Sequence, residues 1–147
     1  MIADLLPRHD LESVPMCGRY RLSRRKEILA EHFDADFFEV DWEPRYNIAP
    51  TQSVPVIRRD GNGRMLRGSL MRWGLISAWA TDPSTGASTI NARAETAATK
   101  PSFSEPLRRQ RCLIPADAFY KWQRRGKSKQ PYCFEIGNGD AFAFAGL

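Results

Sequence analysis

Histidine is nearly absent from this chain: of 147 residues only His9 and His32 carry an imidazole. A protease of the ordinary cysteine type needs a base beside its thiol, and neither position supplies an obvious one. Cysteine is scarce as well. Cys17, Cys112 and Cys133 form no Cys-x-x-Cys pair and have no histidine pair near them, which excludes a disulfide framework and a zinc-ligand pattern. No metal and no cofactor is expected. Long apolar runs are missing too: nothing approaches the ~20 residues of a membrane span. The opening Met1-Ile2-Ala3-Asp4-Leu5-Leu6-Pro7 has an early acid and too short an apolar stretch for a signal peptide. There are no internal repeats or low-complexity blocks, and a cytoplasmic protein without membrane partners is expected.

What is present suffices for one globular domain, with 42% hydrophobic and 11% aromatic residues. Twenty-two Lys and Arg against 17 Asp and Glu give a net charge of +5. The acids concentrate before residue 45, whereas Arg58, Arg59, Arg64, Arg67, Arg72, Arg108, Arg109, Arg111, Arg124, Arg125, Lys127 and Lys129 crowd the remainder. That distribution points to a phosphate-facing surface.

Along the chain, residues 1–15 are polar and aperiodic, with two prolines, and are expected to form a disordered or removed leader. Residues 17–22 suit a short strand. Ser23 is the expected N-cap of a helix with Ile28, Leu29, His32 and Phe33 on one face, which makes His32 a packed helix residue. Residues 45–51 read as an extended loop because Pro50 restrains the residue before it. Residues 53–59 and 64–73 flank Asp60-Gly61-Asn62-Gly63, the clearest hairpin signal in the chain. Trp73 and Trp79 suit either a core or a base-stacking surface. Residues 101–110 predict a basic helix; 111–115, 119–123 and 132–136 predict strands, with a basic turn over 124–129. The apolar run 141–147 is expected to be covered by further sequence, since Phe142 and Phe144 on an open edge would invite aggregation.

One pentapeptide carries chemistry. In Met16-Cys17-Gly18-Arg19-Tyr20 a cysteine directly follows a methionine, so start at Met16 or loss of the leader would make Cys17 the first residue. An N-terminal cysteine is a 1,2-aminothiol, which condenses with an aldehyde to a thiazolidine. Its amine titrates near ~8 and its thiol near ~8.5, so both nucleophilic forms exist at neutral pH. The plain alternative is an inert, partly buried cysteine.

Five blocks in order resemble the SRAP family, the SOS response-associated peptidases: Met16–Tyr20, Arg45-Tyr46-Asn47-Ile48-Ala49-Pro50, Arg72-Trp73-Gly74-Leu75-Ile76, Ile90-Asn91-Ala92-Arg93-Ala94-Glu95-Thr96, and Arg111–Asp117 with Phe119-Tyr120 and Trp122. The resemblance places an SRAP domain at 16–147, corresponding to about the N-terminal two-thirds of the family's usual length. It implies an α+β fold, a compact and mostly antiparallel β-barrel-like core with flanking short helices, incomplete at its C-terminus. It implies a DNA-damage protein that binds single-stranded DNA and crosslinks covalently to abasic sites, located in the cytoplasm and on the nucleoid when DNA is damaged. By that resemblance Cys17 is the crosslinking residue and Asn91 orients the amine or the opened sugar. Arg93 and Arg19 contact phosphate, and Trp73 and Trp122 wedge or stack around the lesion.

Two departures accompany the match. Lys121 stands where the family has its acid/base glutamate, reversing the charge. A lysine there can lower the thiol pKa, form a Schiff base, bind phosphate or face solvent. The family's later histidine has no counterpart, because neither His9 nor His32 lies in a matching context. The alternatives are a thiol peptidase acting on its own leader and a non-covalent single-stranded-DNA-binding remnant.

Overall fold

A computed structural model describes residues 18–147; the expected leader, Met16, Cys17 and His9 lie outside the described residues. Among the described residues nine strands form two sheets. The first has the order β3 (Arg45–Ile48), β1 (Tyr20–Leu22), β7 (Ala118–Arg125), β8 (Ser128–Phe134). The second runs β2 (Ala35–Asp36), β5 (Leu66–Arg72), β4 (Ser53–Arg59), β6 (Cys112–Ala116), β9 (Phe142–Gly146). All pairings are antiparallel except β2 with β5. Three short α-helices, α1 (Lys26–Phe33), α2 (Ala94–Ala97) and α3 (Pro101–Arg109), and a 3-10 helix over Pro83–Ser88 complete an α+β fold among the described residues.

The sheets share one core. Tyr20, Leu22 and Ile48 from the first meet Val54, Val56, Ile57 and Ala116 from the second, with Leu29 of α1 and Phe37 and Val40 of the following loop. Leu22, Leu29 and Ile48 are wholly excluded from solvent, each contributing about 1.5–3 kcal/mol by burial. In β4 the four residues Val54–Ile57 are buried in succession, as a strand covered on both faces requires. The β4–β5 hairpin holds full register from Ser53↔Arg72 to Arg59↔Leu66. Its turn closes as the Asp-Gly and Asn-Gly pairs predict: Gly63 takes φ +67°, and the Arg64 N–H donates to the Asp60 carboxylate at 2.9 Å.

Several boundaries differ from the sequence reading. Residues 45–48 form β3, not a loop, because β1 offers a ladder with Tyr20↔Ile48 and Leu22↔Arg45; Pro50 restrains only the residue before it. Helix α1 starts at Lys26 after Arg25, not at a Ser23 cap, since the Ser23 N–H and hydroxyl both donate to Asp117, at 2.5 and 2.8 Å. Its buried residue is Leu29, while Ile28 and His32 are exposed. His32 rests edge-on against Phe33 at 4.7 Å instead of packing into the core. The basic turn shrinks to Gly126 and Lys127, because β7 and β8 remain paired out to Arg125↔Ser128. Phe142 and Phe144 are half-buried rather than open. They sit edge-on to each other at 5.2 Å and against Phe119 at 6.4 and 6.3 Å.

A buried carboxylate ties the first sheet together. Asp117, between β6 and β7, is fully buried and accepts from Arg21 Nε at 2.5 Å as well as from Ser23. Its own N–H donates to the Arg21 carbonyl at 2.9 Å. Arg21 also reaches Glu135 at 2.6 Å, on the half-exposed side. The hydrogen bond to Asp117, and then that to Glu135, hold the guanidinium more firmly protonated than usual despite some burial. Breaking a buried pair from one side leaves an uncompensated group. Asp117→Ala is therefore expected to lower unfolding free energy by about 3 kcal/mol, and Glu135→Ala by under about 1 kcal/mol. Urea denaturation of both variants checks the ranking; equal losses would refute it.

Candidate functional site

A cavity of about 650 Å³ opens between the end of β5, the segment leading into α2, and strands β6 and β9. Its walls follow from local backbone constraints. Strand β4 meets β6 through one bridge, Ile57↔Leu113. Pro55, with no N–H to extend a ladder, lies two residues earlier. Side chains of both strands, Val54, Val56, Cys112 and Ile114, line the cavity near this point.

The opposite wall is set by a close approach of two glycines. Gly74 has φ +130°, and a Cβ on it would sit 2.4 Å from the Gly86 carbonyl oxygen. Only glycine permits this contact. It lets the Leu75 N–H donate to the Thr89 carbonyl at 3.3 Å and the Thr89 hydroxyl donate to the Leu75 carbonyl at 2.5 Å. Trp73 adds the last constraint: its indole N–H donates to the Ile90 carbonyl at 2.9 Å. Asn91, the next residue, is thereby presented to the cavity beside Trp73.

Tyr20 forms a third wall. It is buried, its ring edge-on to Trp73 at 5.4 Å and to Phe144 at 6.0 Å. Its hydroxyl is a buried polar atom without a hydrogen-bond partner among the described residues. Burial pushes the phenol well above its usual range, only partly opposed by Arg45. Burial likewise raises the Cys112 thiol against the pull of Arg58, which works against thiolate formation there.

The sequence-derived site residues thus separate into groups. Trp73 and Asn91 share the cavity. Trp79 is 64% exposed and apart from it, which assigns the core-or-surface alternatives differently to the two tryptophans. Arg19 lies on the first sheet, where its guanidinium donates to Asn47 Oδ1 at 2.9 Å and its carbonyl accepts from the Tyr120 N–H at 3.1 Å. That bond continues the β1–β7 register, Tyr20↔Phe119, by one residue. Lys121, at the position of the family's glutamate, follows Tyr120 on β7. Alternation along β7 puts Lys121 on the face of Phe119, and Trp122 on the other face with Tyr120, ring centroids 6.4 Å apart. Arg93 is exposed and stands at the N-cap of α2. Cys17 lies outside the described residues. Among those described, no cluster of three His, Cys, Asp or Glu is placed to hold a metal, and no helix is long and apolar enough to cross a membrane.

Two residues of consequence were not singled out by sequence reasoning. Tyr20 and Asp117 both stand inside family blocks, but a motif does not say which member is buried or what it binds. The sequence model of the SOS response associated peptidase (SRAP) family matches residues 16–147. The chain belongs to the SRAP family. Similar curated proteins include the abasic site processing protein YoqW of Bacillus subtilis (strain 168), 45% identical over 135 residues, which cover 90% of this chain and 59% of that protein. The abasic site processing protein YedK of Escherichia coli (strain K12) is 33% identical over 139 residues, with the same coverages of 90% and 59%. This SRAP chain therefore spans about 59% of the length of these relatives. Among solved structures, a protein from Bordetella bronchiseptica matches with a TM-score of 0.70 and 27% identity, over 88% of this chain and 62% of that one. One from Bacteroides thetaiotaomicron matches in fold with a TM-score of 0.75 and 24% identity, over 88% and 58%.

The Tyr20 phenol gives this SRAP domain a measurable signature. Its folded pKa is raised, so above pH ~10 the unfolded chain releases a proton that the folded one keeps. Its contribution is fully present below pH ~10 and is lost as pH rises toward the folded value. Between pH ~10.5 and ~11.5 the wild type is expected to lose stability faster than Tyr20→Phe, by about 1.4 kcal/mol per pH unit. Parallel curves in denaturant titrations at these pH values would refute it.

Proposed function

We propose that this chain processes abasic sites in DNA, by covalent capture of the ring-opened sugar through an N-terminal Cys17. The observation that carries the reading is the cavity shared by Trp73, Asn91 and Tyr20, with Tyr20 only three residues after Cys17. The relatives named abasic site processing proteins, at 45% and 33% identity, supply the substrate class. An opened abasic sugar exposes an aldehyde, the group a 1,2-aminothiol traps.

The α-amine of Cys17 adds to the aldehyde carbon, and loss of one water leaves an imine. The thiol sulfur then adds to the imine carbon while its proton passes to nitrogen. One C–N and one C–S bond form, closing a thiazolidine. The Asn91 amide both donates and accepts without ionising, which suits holding the amine and a sugar oxygen together. Arg19 and Arg93 supply charge-assisted bonds to phosphates of a single strand. Lys121, next to Tyr120 on β7, puts a basic side chain where the family's carboxylate would shuttle protons. It favours the thiolate and weakens general acid–base help.

That reversal of charge also favours a second reading, in which the chain binds single-stranded DNA without covalent chemistry. Intact mass decides between them, measured before and after mixing with a single-stranded oligonucleotide bearing one abasic site. The covalent reading expects a mass beginning at Cys17 and a heat-resistant adduct, abolished by Cys17→Ala. Asn91→Ala is expected to slow the adduct by roughly a hundredfold. A mass retaining Met1, no adduct and salt-dependent binding to the same strand would establish the second reading instead.

A further inference from the structure

The β7–β8 hairpin extends beyond the sheet to which it belongs. Strand β1 pairs with β7 only at its beginning, Tyr20↔Phe119 and Arg21↔Ala118, whereas β7 and β8 stay paired from Phe119↔Phe134 to Arg125↔Ser128. Every residue from Trp122 to Cys133 is exposed. From Ala118 to Phe134 there is no Asp or Glu, while Lys121, Arg124, Arg125, Lys127 and Lys129 supply five cations. Among the described residues the ion pairs join Arg21 to Asp117 and Glu135, and Arg109 to Glu105, so Arg124, Arg125, Lys127 and Lys129 are in none of them.

Folding does not account for this arrangement. Arg124 and Lys129 stand directly opposite each other in the ladder, and like charges so placed destabilise a strand pair. Arg125 is oriented instead of left loose: its guanidinium donates to the Tyr132 hydroxyl at 2.8 Å, and that hydroxyl donates to Gln123 Oε1 at 3.0 Å. A polyanion laid along the arm would turn the repulsion into attraction. Its shape selects the polyanion. A two-stranded ribbon enters the ~12 Å major groove of B-form DNA, and the four residue steps from Lys121 to Arg125 reach roughly 13 Å at ~3.3 Å each.

The geometry points to the β7–β8 arm as a second nucleic-acid contact, a cationic ribbon that docks in the groove of duplex DNA and grips its phosphates. The inference rests on the reading of this chain as a DNA-processing protein, but assigns the duplex to a part of the fold outside the Trp73–Asn91 cavity. The arm supplies affinity without base recognition, and the cavity acts on the strand delivered to it.

The test is fluorescence anisotropy with a lesion-free duplex across a salt series. It compares the wild type with a variant carrying Arg124→Gln, Arg125→Gln, Lys127→Gln and Lys129→Gln. The slope of log affinity against log salt is expected to flatten by about 3, with a smaller change on a single strand. Adduct formation on a short abasic single strand is expected to stay within about twofold, which also shows that the variant folds. An unchanged duplex slope, a wild type that binds no duplex, or a poly-glutamate peptide that competes as well as duplex would each overturn the assignment. A flattened slope in a protein that forms no adduct would sustain the arm while removing the covalent reading of Cys17.

Discussion

The fold depends on neutralising one carboxylate in the interior. Asp117 has no solvent contact, and burying a carboxylate costs several kcal/mol unless hydrogen bonds replace the lost water. Arg21 and Ser23 provide them from strand β1 and the residue following it. Because β1 has only three residues, Tyr20–Leu22, backbone ladder bonds alone would hold it weakly. The carboxylate clamps it between β3 and β7 and fixes its register, so Tyr20 arrives at the cavity and Arg19 beside Asn47.

A second layer of organisation is aromatic. Tyr20, Trp73, Phe119, Phe142 and Phe144 meet edge to face across the two sheets, in the geometry favoured by ring quadrupoles. These contacts half-bury the phenylalanines of β9 and leave Trp73 with one face toward the cavity. The indole is thus a structural member and a cavity wall at once. Its N–H is spent on the Ile90 carbonyl, so it offers the cavity apolar surface, and hydrogen bonding there falls to Asn91 and the buried Tyr20 hydroxyl.

What could be read from the chain in advance was whatever local chemistry determines. The Asp60–Gly63 turn, the α3 helix and the strands around residues 112–116 and 118–125 follow from turn residues and apolar patterning. Elements determined by distant partners were not legible. Ser23 has an N-cap's chemistry, but a carboxylate 94 residues away takes both of its donors. Residues 45–48 have no strand signal of their own and become one because β1 needs a neighbour. The same division runs through the site. Asn91 and Trp73 are visible as motif members, whereas Tyr20 becomes a wall only through burial, and Arg93 and Trp122 do not line the cavity despite belonging to neighbouring blocks.

Strand β7 therefore works in two electrostatic regimes. At its origin, beside Ala118, charge is buried and compensated partner by partner, where the dielectric is low and an unpaired group would unfold the sheet. At its far end, Arg124 and Arg125 are exposed and face Lys129 and Ser128, where water and salt screen repulsion within a Debye length. Uncompensated charge is tolerable only there, so the pairing sits at one end of the strand and the surplus at the other. Lys121 lies between these regimes, half-buried. A carboxylate at that position would be the one acid between Asp117 and Glu135, a local break in the positive charge of the arm; with lysine there, the stretch from Ala118 to Phe134 holds none.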